Sequence, residues 1–464
     1  MSAVARLRDQ GLEPDVPLRA LAATGQLGYG ILQRAFEEGL SRRPHFIGCD
    51  MGSVDPGPYY LGAGVPATAE SVTRRDLRMV LNGAVRDKIP LLIGTAGTAG
   101  AAPHLDYTLD LIRSIAREDG LKFRLAVVPA DIPRDLLKQK VRDGHTRPLG
   151  PIAPLTEGDV DRASHIVGQM GVDAFARALA LDPDVIVTGR ACDTAIFAAI
   201  PEMLGYPMGA VMHMAKIIEC ASICCVPGGR DAMLGTLEGD GFVLESMNPA
   251  RAATPLSVAA HSLYEQADPL SVYEPEGVLH LDGARFEAVD ERRTRVSGGI
   301  WEVAKQKTIK LEGSEWCGER AVLCCGSCDP SVIANIDAIV AGVKANVAEI
   351  VPPPEGAYEL IFHVYGKGAV GLFPGSRPGR EPAEVFILAE SIAATAERAM
   401  TAARVTKQFL LHHGFPGRTS TGGNVAFPFT PPELAGGSAY RFSIYHLMEI
   451  DDCSALFPAR LEQL

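Results

Sequence analysis

Residues 17–40, PLRALAATGQLGYGILQRAFEEGL, hold a short apolar run, the glycine pattern Gly25-x-x-Gly28-x-Gly30 and a helical periodicity over 31–40. That order specifies a strand, a tight glycine turn and a helix. HFIGCDMGS (45–53) supplies the next buried strand, and its exit DMGSVDPGPYYLGAG (50–64) is polar and turn-rich enough to predict a loop. A helix is expected over 74–86, opened by Thr73 with Asp76 three residues on as a capping-box variant. The strand IPLLIG (89–94) runs into GTAGTAGAAPH (94–104), a second set of small residues at a strand exit, before the helix DYTLDLIRSIARED (106–119) that Gly120 ends. KFRLAVV (122–128), PRDLLKQKV (133–141), helices across 159–180 and the strand DVIVTG (184–189) continue the alternation. Strands separated by helices specify an α/β fold with a mostly parallel, doubly wound sheet. Ligands of such sheets bind beyond the C-terminal ends of the strands.

The α/β domain is expected over 1–250. A β-rich region follows over 251–350, in which Asp282-Gly283 is the turn of a hairpin between VLHL (278–281) and ARFEAV (284–289). VPPPEG (351–356) marks a boundary, and 351–464 forms a smaller C-terminal α/β domain with strands YELIFHVYG (358–366) and AEVFILA (383–389) and a long amphipathic helix over 390–413.

A net charge of -12 without any long basic run argues against a nucleic-acid partner. No stretch has the ~18 apolar residues that span a bilayer, and MSAVARLRDQGLEPDVP lacks the apolar core of a signal peptide, so a cytoplasmic location is expected. The 10 cysteines are too unevenly spread for a disulfide scaffold. Two clusters, Cys220/Cys224/Cys225 and Cys324/Cys325/Cys328, leave a divalent metal or an iron–sulfur cluster open, beside the reading of buried free thiols. No motif names a cofactor: G-x-x-x-x-G-K-[ST], an uninterrupted G-x-G-x-x-G, H-E-x-x-H and G-x-S-x-G are all missing.

Candidate site residues fall on the strand exits. Gly28 and Gly30, then Thr95, Gly97 and Thr98, offer backbone N–H groups to an anion. Asp50, Ser53 and Asp55 share one loop, where two carboxylates can share a proton or hold a divalent ion, or else only cap their own turn. In TGRACD (188–193), Arg190 can clamp a carboxylate in two parallel bonds while Asp193 orients it; the plain alternative is an internal Arg190–Asp193 pair. GAVMHMAKIIECASICC (209–225) reads as a buried helix with His213, Lys216 and Cys220 on one face and Glu219 one turn from Lys216. That face offers a base or nucleophile, or merely a Lys216–Glu219 salt bridge and core thiols. Arg230 in GGRD (228–231), His261, and Arg418, Ser420, Thr421 and Asn424 in HHGFPGRTSTGGNVAFPF (412–429) complete the set of polar groups suited to an oxyanion.

Six segments in this order resemble the acyclic terpene utilisation protein A family: LAATGQLGYG (21–30), IVTGRACDTAIF (186–197), IIECASICCVPGG (217–229), TPLSVAAHSLYEQADP (254–269), HHGFPGRTSTGGNVAFPF (412–429) and YRFSIYHLM (440–448). GCDMGSVDPGPYYLGAG (48–64) and CCVPGGRD (224–231) mark a divergent branch. The resemblance implies a place in the catabolism of terpenes or related branched acids, with a small α/β companion as a separate subunit. The expected function is proton chemistry on a small carboxylic acid or acyl compound, by a hydratase, lyase or isomerase without a redox cofactor. In it Arg190 and Arg418 hold the carboxylate, Asp50, Asp55, Glu219 or Lys216 moves the proton, and Cys220 is the fallback nucleophile. The rival is a non-catalytic ligand-binding or scaffold subunit that needs its companion, and an oligomer is expected in either case.

Overall fold

Five strands, Leu18–Ala22, Phe46–Gly52, Leu91–Thr98, Val185–Thr188 and Arg124–Val128, lie parallel in that spatial order in a computed structural model. Phe46–Gly52 and Leu91–Thr98 are buried at every residue, as strands covered on both faces must be. Alternate residues feed different cores. Leu21, Ile47 and Ile93 pack with Phe36 of the helix Gln33–Ser41, Leu77 of Glu70–Asp87 and Ile112 of Ala102–Asp119. Ala20, Phe46 and Leu92 pack with Phe175 of Val172–Leu179, Phe197 of Asp193–Met203 and Val211 of Met208–Ile218. Helices thus cover both faces of the parallel core, which makes the class α/β and doubly wound. Antiparallel strands widen it, Met233–Glu238, Gly241–Ser246, Arg293–Ser297 and Arg285–Ala288 at one edge and Arg460–Gln463 at the other.

The structure describes all residues except 265, 267, 353–357, 372–380, 420, 421, 454 and 455. The chain divides into two units, Met1–Glu315 with Phe442–Leu464, and Trp316–Arg441. The first holds the large sheet, a three-stranded sheet of Ser271–Glu274, Gly277–His280 and Ile300–Val303, and the pairings of Ala163–Gly168 with Leu311–Glu315 and of Thr146–Pro148 with His446–Met448. In the second, Val385–Ala393 pairs antiparallel with Glu319–Ser327 and with Glu359–Tyr365. Val343 and Val347 of the helix Ile336–Ile350 and Leu410 of Ala396–His412 join Leu323, Cys325 and Ile387 in its core. The second unit starts at Trp316, ahead of the expected boundary at 351, because Glu319–Ser327 pairs with Val385–Ala393, while residues 442–464 return to the first unit.

Several local expectations need correction. The helix expected from Thr73 begins at Glu70, so Thr73 lies inside it and its hydroxyl donates to the Ala69 carbonyl instead of capping. The loop over 50–64 contains the short helix Tyr59–Ala63. Ala163–Gly168 is a strand where helix was expected. Asp282-Gly283 closes no hairpin, because Gly277–His280 pairs in the three-stranded sheet and Arg285–Ala288 pairs with Arg293–Ser297. The strand Ala163–Gly168 was decided by a partner remote in sequence, Leu311–Glu315, which propensity does not encode.

Candidate functional site

The strand Val185–Thr188 ends in a turn held from two sides before the helix Asp193–Met203 begins. Thr95 Oγ1 accepts from the Ala191 N–H at 3.0 Å, and Arg190 N donates to the Gly100 carbonyl at 3.2 Å. Gly100 has φ +71°, and a Cβ there would stand 2.1 Å from Arg190 N, so no other residue fits. The clamped turn presents Cys192, Asp193 and Thr194 to a cavity of about 540 Å³. The helix Met208–Ile218, buried from Ala210 onward, brings Lys216 and Glu219 to the same space at its C-terminal end. Cations are favoured there by the helix dipole. The strand Ser271–Glu274 adds Glu274 at its end, and the strands Lys307–Ser327 and Thr146–Pro148 add Thr308, Lys310 and Arg147.

Polar contacts fix these groups. Lys216 Nζ donates to Glu219 Oε1 at 2.6 Å, and Thr194 Oγ1 donates to Glu274 Oε1 at 2.7 Å. Behind the cavity wall the buried Arg190 donates from Nε and Nη2 to Glu312 at 2.9 and 3.2 Å, and Lys310 reaches the same carboxylate at 2.8 Å. Burial disfavours the Glu312 charge, but Arg190 and Lys310 together hold its carboxyl down at about 2. Asp50, Glu219 and Glu274 shift the opposite way. Burial pushes Glu219 up to about 8 against the pull of Lys216, with Asp193 and Glu274 adding to the rise. Burial also raises Asp50 well above the usual carboxylate range, helped by Asp193 and Glu219, and raises Glu274 with help from Asp193. Burial works against the charge of Lys216, yet Glu219 outweighs it and keeps the ammonium protonated. Burial and the mutual repulsion of Asp193 with Asp50, Glu219 and Glu274 disfavour full ionisation, so Glu219 retains a proton near neutral pH.

The expected site residues divide by location. Asp193, Lys216 and Glu219 line the cavity, and Asp50 and Arg190 are buried within electrostatic reach of them. Cys220 follows Glu219 past the helix end, its carbonyl 2.9 Å from where a Gly25 Cβ would stand. His261 is buried behind Lys216 and stacked on Tyr264, and burial lowers its imidazole to about 4. The glycine turn does not open onto this cavity. Gly28 and Gly30 donate their N–H groups to Asp76 Oδ2 at 3.1 and 2.9 Å and Ile31 donates to Oδ1 at 2.9 Å, so a carboxylate of the chain itself fills that cradle. Asp55 is exposed and its N–H donates to Ser53 Oγ, apart from the buried Asp50, so the two carboxylates form no shared pair. Gly97 lies against His104, Thr98 Oγ1 accepts from Ala67 N, and Arg230 stacks over Tyr29. Arg418 and Asn424 belong to the second unit, where Arg418 Nε donates to Asn424 Oδ1 at 2.7 Å and closes their loop; Ser420 and Thr421 lie outside the described residues.

Sequence reasoning missed Glu274, Lys310, Glu312 and Arg147. A signal existed for one pair, since Lys310 and Glu312 are two apart in a strand and must share a face. Among the described residues neither cysteine cluster brings three donors together. Asp173, Glu276 and Cys453 do place donor atoms within 4.8 Å of one another, with Lys307 already bound to Asp173.

The fold and the cavity define an α/β protein with a buried acid–base cluster where the parallel strands end. The family model described as acyclic terpene utilisation family protein AtuA matches residues 70–228 and 237–430, and the chain belongs to that family. No curated protein and no solved structure matches it. Among the described residues no helix is long and apolar enough to cross a membrane.

Proposed function

We propose that this chain is an enzyme of proton transfer, a hydratase, lyase or isomerase acting on a small acyl compound in the cavity of Asp193, Lys216, Glu219 and Glu274. The coupled carboxylates carry this reading. A general acid or base works best with its pKa near the operating pH, and Glu219 at about 8, raised by burial with Asp193 and Glu274 adding to the rise, meets that condition. In the ionised state Glu219 takes a proton from the carbon beside a carbonyl, and the bonding pair moves onto the carbonyl oxygen. The Lys216 ammonium, 2.6 Å from Glu219, then loses a carboxylate partner and is available to that oxygen. Returning the proton to another carbon isomerises the substrate; delivering it instead to a β-hydroxyl, as the carbonyl re-forms, a C=C bond forms and the C–O bond breaks, releases water.

Membership in the acyclic terpene utilisation family supports branched or unsaturated acyl compounds as the class. The test incubates purified protein in D2O with short branched and unsaturated acids and their CoA thioesters and follows deuterium uptake by mass spectrometry. Uptake that Glu219→Gln abolishes is the expected result. Uptake that survives in that variant, or none with any compound, defeats the proposal.

A further inference from the structure

Both arginines expected to hold a carboxylate are occupied, Arg190 by Glu312 and Arg418 by Asn424. The cavity has another guanidinium. Arg147 sits in the middle of Thr146–Pro148 with Leu447 opposite it in the neighbouring strand, and both line the cavity. It is exposed, and among the described residues its side chain makes no ion pair or hydrogen bond. We infer that Arg147 binds an oxyanion of the ligand, at a distance from the carbon whose proton Glu219 moves; this rests on the reading of the cavity as a proton-transfer site.

Charge and topology carry the assignment. The cavity's acids, Asp193, Glu219 and Glu274, come from two helix ends and from the end of a strand of the three-stranded sheet, whereas Arg147 and Lys310 come from strands of another sheet. An anion placed among the acids would meet like charge, which in a buried site is strongly unfavourable. On the strand side the balance is reversed. Arg190 and Lys310 together carry one more charge than Glu312 cancels, and Arg147 adds another. Val272, Pro275, Val278 and Leu447 supply apolar lining. A ligand with an oxyanion at one end, an apolar stretch and a reactive acyl carbon matches this arrangement. The oxyanion is either the carboxylate of a free acid or a phosphate of a thioester carrier, and the planar guanidinium fork suits both.

Calorimetric titration of the purified chain with 3-methylbutanoate, its carboxamide and its CoA thioester separates the two sources. An anionic ligand binding at least about tenfold more tightly than the carboxamide is expected, with Arg147→Gln erasing that margin and Arg147→Lys restoring part of it. Among the described residues Arg147 has no side-chain partner to lose, so the melting curve of Arg147→Gln stays that of the parent. Equal affinity for carboxamide and anion, unchanged anion binding in Arg147→Gln, or no binding by any of the three overturns the inference. Anion binding that depends on Arg147, with no deuterium uptake from any compound, sustains the anchor and removes the proton-transfer reading alone.

Discussion

Arg190 and Glu312, 122 residues apart, form a buried two-point ion pair, with Nε 2.9 Å from Oε2 and Nη2 3.2 Å from Oε1. A guanidinium engaged this way holds the turn before Asp193–Met203 in place and has little left for a substrate. Removing one partner of a buried pair leaves an uncompensated charge. Arg190→Ala therefore lowers stability by about 3 kcal/mol, the lower end of the range for such pairs, because Lys310 still faces Glu312. Chemical denaturation at 25 °C measures this, and a loss under about 1 kcal/mol contradicts the structural role.

Glu219 makes stability depend on pH with a defined sign. Its folded-state pKa of about 8 stands above the value of about 4.3 for an unperturbed glutamate, so between the two the folded chain keeps a proton that the unfolded chain has released. The stabilisation is complete below the lower value and is lost as pH rises toward 8, by up to about 1.4 kcal/mol per pH unit. Melting temperatures should fall from pH 5 to pH 8 in the parent and fall less in Glu219→Gln. Parallel curves would show that Glu219 is not the group that holds the proton.

Lys216 lowers the Glu219 pKa from where burial alone would put it. Lys216→Met removes that pull, so the pH limb assigned to Glu219 moves upward, seen either in deuterium uptake or in the melting curve. A downward shift would reverse the electrostatic assignment.

Asp76 accepts the three N–H groups of Gly28, Gly30 and Ile31 and is itself fully buried. Asp76→Ala strands three donors, at a cost of about 3 kcal/mol or more. Amide hydrogen exchange at Gly28, Gly30 and Ile31 should accelerate in the variant well beyond the change at Ile47 or Leu92. Protection equal to the parent would mean that those amides have other acceptors.

Local patterns in the amino-acid sequence already determined a good deal. Apolar runs between helical periodicities placed the strands at Leu18–Ala22, Phe46–Gly52, Leu91–Thr98, Arg124–Val128 and Val185–Thr188, and Gly120 ended its helix in the left-handed conformation. The three-residue spacing of Lys216 and Glu219 on a helix likewise foretold their contact. Tertiary structure alone decided what each charged group meets. Glycine spacing marks a turn but not whether a ligand or Asp76 fills it, and the partners of Arg190 and Thr194 stand 122 and 80 residues away. Pairing of that kind depends on which strands become neighbours, and the charges each buried carboxyl then meets fix its state, two cations holding Glu312 ionised while acidic neighbours add to the rise at Glu219; neither is a property of a segment by itself.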